Sequence, residues 1–123
     1  MRNEHDGSPQ AVIACHELLA WIIPQLDKLP RVRRYTLGER IETGLLDVLE
    51  RLIEAAYGSG AVKLAALQAA NLRLGVVRHL WRLGHGLEAV SGKSYGYGAG
   101  LMEDLGRQLG GWQRELRGRG QPQ

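Results

Sequence analysis

Apolar residues recur at helical spacing in four separate stretches of this chain. In the first, Val12, Cys15, Leu19, Ile22 and Leu26 form one stripe with Trp21 alongside, the three-four spacing of a single helix face. Ser8 is placed to cap this helix and Pro9 to sit in its opening turn, where the missing N–H is not needed. The helix is expected to run to about Asp27, with Pro24 predicting a kink or an early end. Lys28 to Tyr35 reads as a connecting hairpin, since Pro30 prevents continuation. Thr36-Leu-Gly-Glu39 then reads as a capping box that opens a second helix reaching about Tyr57. Its stripe is Leu37, Ile41, Leu45, Val48, Leu52 and Ala55.

Gly58-Ser-Gly60 marks the next break. A third helix follows to about His85 or Leu87 on Leu64, Leu67, Leu74, Val77 and Trp81, with Leu72, Val76, Leu80 and Leu83 beside them. Ser91-Gly-Lys-Ser94 breaks the pattern again, and a fourth helix runs to about Leu116 on Leu101, Leu105, Leu109, Trp112 and Leu116. Gly96, Gly98 and Gly100 weaken its first turns, each by about 1 kcal/mol relative to alanine. Short connections between long helices make sequential helices antiparallel. The expected fold is therefore all-α, an up-down-up-down four-helix bundle over residues 9–117. Flexible segments are expected at 1–8 and 118–123.

Composition agrees with this reading. Phe is absent and Leu and Ala dominate, which favours helices over strands. One domain is expected from 123 residues. Cys15 is the single cysteine, so no internal disulfide forms and no oxidising compartment is called for; its apolar neighbours suggest a small buried hydrophobe. The first ten residues are polar and charged, and the longest apolar stretch, Leu18 to Pro24, is too short to span a bilayer. The expectation is a cytoplasmic protein with no membrane partner.

Charge changes the picture further. The formal net charge is +3, and the two signs segregate by helix. The second helix bears Glu39, Glu42, Asp47, Glu50 and Glu54 against Arg40 and Arg51; the third carries Lys63, Arg73, Arg78 and Arg82 and meets no acid until Glu88. Asn71, Arg78, Arg82 and His85 share one face. One account places the second and third helices side by side, their opposite charges solvating one bundle. The other makes Arg31, Arg33 and Arg34 of the hairpin and Arg73, Arg78 and Arg82 of the third helix a phosphate-binding surface. The planar arginine fork suits that chemistry. Such binding is mostly electrostatic and salt-sensitive. Tyr35, Tyr57, Tyr95 and Tyr97 offer rings that stack on bases or, equally, pack in the core or at bundle ends.

Catalytic patterns fail on spacing. Gly92-Lys93-Ser94 resembles the end of a phosphate-binding loop, yet Gly86 is one residue too far upstream and no strand precedes it. Tyr95-Gly-Tyr-Gly-Ala-Gly100 lacks the strand-turn-helix setting of a dinucleotide fingerprint. It reads as a loose helix start or a place where another backbone comes close. His5, His16, His79 and His85 show no metal spacing, and Glu50 and Glu54 lack the Glu-x-x-His partners of a di-iron bundle. No enzyme, metal or cofactor is indicated.

Leu29-Pro30 with Arg34-Tyr-Thr-Leu-Gly-Glu-Arg-Ile-Glu42, the stretch Leu46 to Tyr57, Ala70-Asn-Leu-Arg-Leu74 and the close Leu105-Gly-Arg-Gln-Leu-Gly-Gly-Trp112 together resemble the Avd family. These are the accessory variability determinants of diversity-generating retroelements, and the likeness covers roughly Leu29 to Arg114. It implies a small basic four-helix bundle, related to the proteins encoded in ribosomal RNA intervening sequences, that assembles as a homopentameric ring and has no catalytic activity. It further implies association with the element's reverse transcriptase and with template-repeat RNA or other nucleic acid. That complex makes the adenine-directed errors that pass into a target gene. The rival expectation is a plain interaction bundle akin to the intervening-sequence proteins, with no polymerase partner.

Overall fold

A computed structural model describes residues 8–120 of the chain; residues 1–7, the last three residues and the side chain of Ser8, and with it the capping role expected of that residue, lie outside the description. Among the described residues every element is helical. Helix α1 is Ser8–Leu26. Helix α2 covers residues 31–57 in three consecutive pieces: an α-helical turn Arg31–Arg33, a π-helical turn Arg34–Gly38 and an α-helix Glu39–Tyr57. Helix α3 is Gly60–Gly86 and α4 is Gly92–Gly120. Each of α1 and α3 packs against both α2 and α4, so the four helices close into a bundle. No described helix is long and apolar enough to cross a membrane.

The core is built largely from the predicted stripes, with Leu18 and Met102 added and Val12, Leu64, Leu101 and Leu116 only partly buried. Ile41, Leu45, Val48, Leu52 and Ala55 of α2 are buried, as are Cys15, Leu19, Ile22 and Leu26 of α1. Leu67, Leu74, Val77 and Trp81 of α3 meet Met102, Leu105, Leu109 and Trp112 of α4 in the same core. Each fully buried leucine contributes roughly 1.5–3 kcal/mol relative to an exposed one. At Gly44 α2 and α3 come close: a Cβ there would lie 2.7 Å from Val77 Cγ2. Across the bundle, Trp21 of α1 meets Trp81 edge-on, ring centroids 6.0 Å apart.

Four expectations are corrected. First, the basic hairpin is not a loop: the connection is only residues 27–30, and Arg31, Arg33 and Arg34 are helical. Pro30 is the residue before the helix, in extended conformation, and its carbonyl accepts from the amides of Arg33 and Arg34 at 2.8 and 3.0 Å. Proline cannot continue α1, but its fixed φ suits the entry to α2. Second, Thr36 is no cap. Its hydroxyl donates back to the Val32 carbonyl at 3.2 Å, and the Glu39 amide bonds to the Arg34 carbonyl in the widened π turn.

Third, Leu72, Val76 and Leu83 do not join the core; they are 73%, 38% and 50% exposed. One helix of a four-helix bundle can turn only part of its circumference inward, and on α3 that part is taken by Ala66, Leu67, Ala70, Leu74, Val77 and Trp81. Fourth, α4 runs past the expected end near Leu116 to Gly120; the glycine cluster forms its opening turns. Pro24 lies inside α1, which ends at Leu26, beside the expected end near Asp27.

The α3–α4 turn is held by a six-residue closure. The Ala89 amide donates to the Gly84 carbonyl at 2.9 Å and the Glu88 amide to His85 at 2.9 Å. This requires Glu88 to take the left-handed conformation, φ 62°, a position that glycine usually fills. Ser91 then caps α4, its hydroxyl accepting from the Ser94 amide at 3.1 Å.

Candidate nucleic-acid and protein interface

The six arginines singled out by the sequence fall into three separate places. Arg31 lies exposed on the first turn of α2. Arg33 and Arg34, both half-buried, occupy the widened turn and its entry. Arg34 donates to the Leu29 carbonyl at 3.4 Å and lies 5.9 Å from the Tyr35 ring centroid, so part of its donor capacity is spent on the fold. Arg33 borders a groove between the start of α2 and the end of α3, lined also by Tyr35, Arg40, Leu80, Leu83 and Leu87. Arg40, which the sequence pattern does not single out, lines the same groove as Arg33.

Arg73 is set apart from Arg78 and Arg82. Its Nε lies 3.3 Å from Asp47 Oδ2, an ion pair that crosses from α3 to α2. Asp47 also faces Arg51 at 3.7 Å, and Arg51 holds Glu54 at 3.1 Å. The hydrogen bond to Glu54, with the charges of Asp47 and Glu54, raises the Arg51 pKa. This is the side-by-side neutralisation expected of the two oppositely charged helices, and it claims Arg73.

Arg78 and Arg82 project from the opposite flank of α3, toward α4. They line one concavity with Gly75, His79 and Tyr95. Among the described residues neither forms an ion pair. The absence of a side chain at Gly106 leaves room for Arg78, whose guanidinium would stand 3.7 Å from a Cβ there. Beside them His85 stacks on Tyr95, ring centroids 4.8 Å apart and planes 13° from parallel. His85 Nδ1 donates to the Val90 carbonyl at 3.1 Å, which fixes the ring. The sequence placed Asn71, Arg78, Arg82 and His85 on one face, and all four are exposed there.

The concavity therefore offers two guanidinium groups without an ion-pair partner among the described residues, an oriented imidazole and an aromatic ring, a combination suited to phosphate and base chemistry. Among the described residues, no three His, Cys, Asp or Glu side chains gather into a group able to hold a metal ion. Cys15 is buried, and burial pushes its thiol pKa up to about 12.

Comparison with protein families decides the relationship. The model of a family described as bAvd-like matches residues 11–116. The chain belongs to the bAvd-like family. The match spans all four helices of the bundle, including the glycine-rich start of α4, and it agrees with the Avd resemblance of the sequence motifs. As a bAvd-like protein the chain is of the accessory type found with diversity-generating retroelements. No curated protein and no solved structure matched it.

Proposed function

We propose that this protein is a non-catalytic accessory subunit of a diversity-generating retroelement, binding the element's reverse transcriptase and its template-repeat RNA during mutagenic cDNA synthesis. The family match over residues 11–116 carries the proposal. Arg78 and Arg82 supply a phosphate-binding face on one side of α3. The α2 wall of the second groove, Arg33, Tyr35 and Arg40, supplies a basic face suited to a protein partner. Arg31 and Arg34 flank that second face. Arg73, engaged by Asp47, has the smaller part of the six.

The same proposal includes assembly as a homopentameric ring. Its support is the row of exposed apolar side chains on α3, Leu72, Val76 and Leu83, continued by Leu87 beyond the helix end. An apolar row of this length on a small bundle favours burial against a partner. A ring presents each basic face several times, so modest single contacts add through multivalency.

The test is co-purification of the protein with the reverse transcriptase encoded beside it, at low and at high salt. A complex present at low salt and lost as salt rises supports an accessory role held by exposed charge. A well-folded protein that captures no polymerase at any salt would overturn the polymerase part of the reading. Replacing Arg78 and Arg82 together with alanine should weaken RNA binding while helicity and assembly stay intact.

A further inference from the structure

Two aromatic stacks flank a bare strip of helix at the start of α4. On one flank His85 stacks on Tyr95; on the other Trp21 meets Tyr97, ring centroids 4.9 Å apart and planes at 50°. Tyr97 is 57% exposed, and Trp21, Gln25, Lys93, Ser94 and Gly96 share an open cleft with it. Between the flanks run Gly96 and Gly100, one turn apart. A Cβ built at either meets no atom within 4 Å. Packing therefore does not explain these two glycines, whereas Gly98, between them, is required by the Trp81 indole 2.7 Å from its would-be Cβ. A solvent-facing helix position without a side chain costs helix stability and lets another backbone approach closely.

Cations surround this strip without neutralising partners among the described residues. Arg78 and Arg82 lie at the His85–Tyr95 edge, and Lys93 lies at the Tyr97 edge. The nearby acids Glu103 and Asp104 are both engaged by Arg107. We infer that the first two turns of α4 form a stacking platform for the unpaired bases of a single-stranded polynucleotide. This rests on the RNA-binding part of the reading above and names the form of nucleic acid that the site takes. The strand crosses the helix over Gly96 and Gly100, with bases against Tyr97 and Trp21 on one side and against Tyr95 and His85 on the other. Phosphates face Arg78, Arg82 and Lys93. A duplex keeps its base faces inside its own stack and gains only the charge contacts, whereas a single strand gains both.

The experiment compares a short polyuridine strand with an RNA hairpin duplex of equal phosphate number, measuring affinity across a range of salt. The variants are Tyr97→Leu and Gly96→Leu, each checked for unchanged helicity. Both are expected to weaken single-strand binding roughly tenfold, the scale of one lost base stack. Duplex affinity and the slope of affinity against salt should hold steady. Titration with polyuridine should also quench the half-buried Trp21.

If neither variant changes single-strand affinity, or both weaken strand and duplex alike, the stacking platform is overturned while charge-based binding stands. If the unaltered protein binds neither probe, the RNA-binding part of the proposed function fails with it. Competition by a proline-rich or aromatic peptide, with no affinity for polyuridine, would likewise overturn the inference in favour of a protein ligand.

Discussion

The indole of Trp81 occupies the space that a side chain at residue 98 would need: a Cβ on Gly98 would stand 2.7 Å from Trp81 Nε1. The same nitrogen donates to the Tyr95 carbonyl at 3.0 Å, and the ring meets Trp21 edge-on, so it has no alternative position. Gly98→Ala should therefore destabilise the bundle by about 1–3 kcal/mol through overpacking, outweighing the helix gain. Gly96→Ala, two residues away and facing open space, should stabilise by up to about 1 kcal/mol. Opposite shifts of the thermal midpoint by circular dichroism check the pair. Equal shifts would show that Trp81 does not hold this position.

Glu88 holds a left-handed conformation, φ 62°, at the end of α3. A non-glycine residue there costs roughly 1–2 kcal/mol. Glu88→Gly should relieve part of that, partly offset by the greater freedom of glycine in the unfolded chain. The expected result is a gain of about 0.5–1 kcal/mol in a denaturant titration with unchanged slope.

Cys15 gives the fold an alkaline weakness. Its thiol is raised from 9.0 to about 12 by burial in the core. Below pH 9 it is protonated in both states and its contribution is fully present. Above that, the unfolded chain ionises while the folded one does not. Stability from this group then falls as pH rises toward 12, by up to about 1.4 kcal/mol per pH unit. Cys15→Val should flatten that part of the curve. In the native protein near pH 8 the thiol should also resist alkylation, with about a thousandfold less thiolate than an ordinary cysteine.

Arg73 and Arg78 should separate in function although both sit on α3. Arg73→Ala removes the exposed pair with Asp47 and should cost at most about 1 kcal/mol of stability. RNA affinity should barely change. Arg78→Ala should leave stability alone and lower RNA affinity, with a shallower dependence on salt. Reversed results would exchange their roles.

The helices were legible because their stripes are long and their partners are other helices of the same chain. Ile41 through Ala55 could be placed on one face from spacing alone, and all the stripe positions there are buried. The start of α2 was not legible. Thr36 and Glu39 have the spacing of a capping box, but Pro30 opens the helix earlier and a π turn absorbs the extra residue. Backbone hydrogen bonds made that choice, and residue spacing does not encode it.

Leu72 and Leu83 looked like core because they are apolar beside core positions; which side of α3 turns inward is set by the neighbouring helices. The candidate site was half legible. Arg78, Arg82 and His85 share a face by periodicity. The meeting of Tyr95 with His85 and of Tyr97 with Trp21 depends on how three helices pack. The separation of Arg73 depends on Asp47, a residue on another helix.

The two-residue link between α2 and α3, residues 58–59, has a kinetic consequence. Contacts across that link are close in sequence, so little loop-closure entropy is lost in making them. The α2–α3 pair can form early, as rapidly as helical hairpins do. The seam between α1 and α4 is the opposite case, since nearly the whole chain separates its two sides. During synthesis α1 emerges before α4, and one flank of it waits uncovered until α4 arrives to close the bundle.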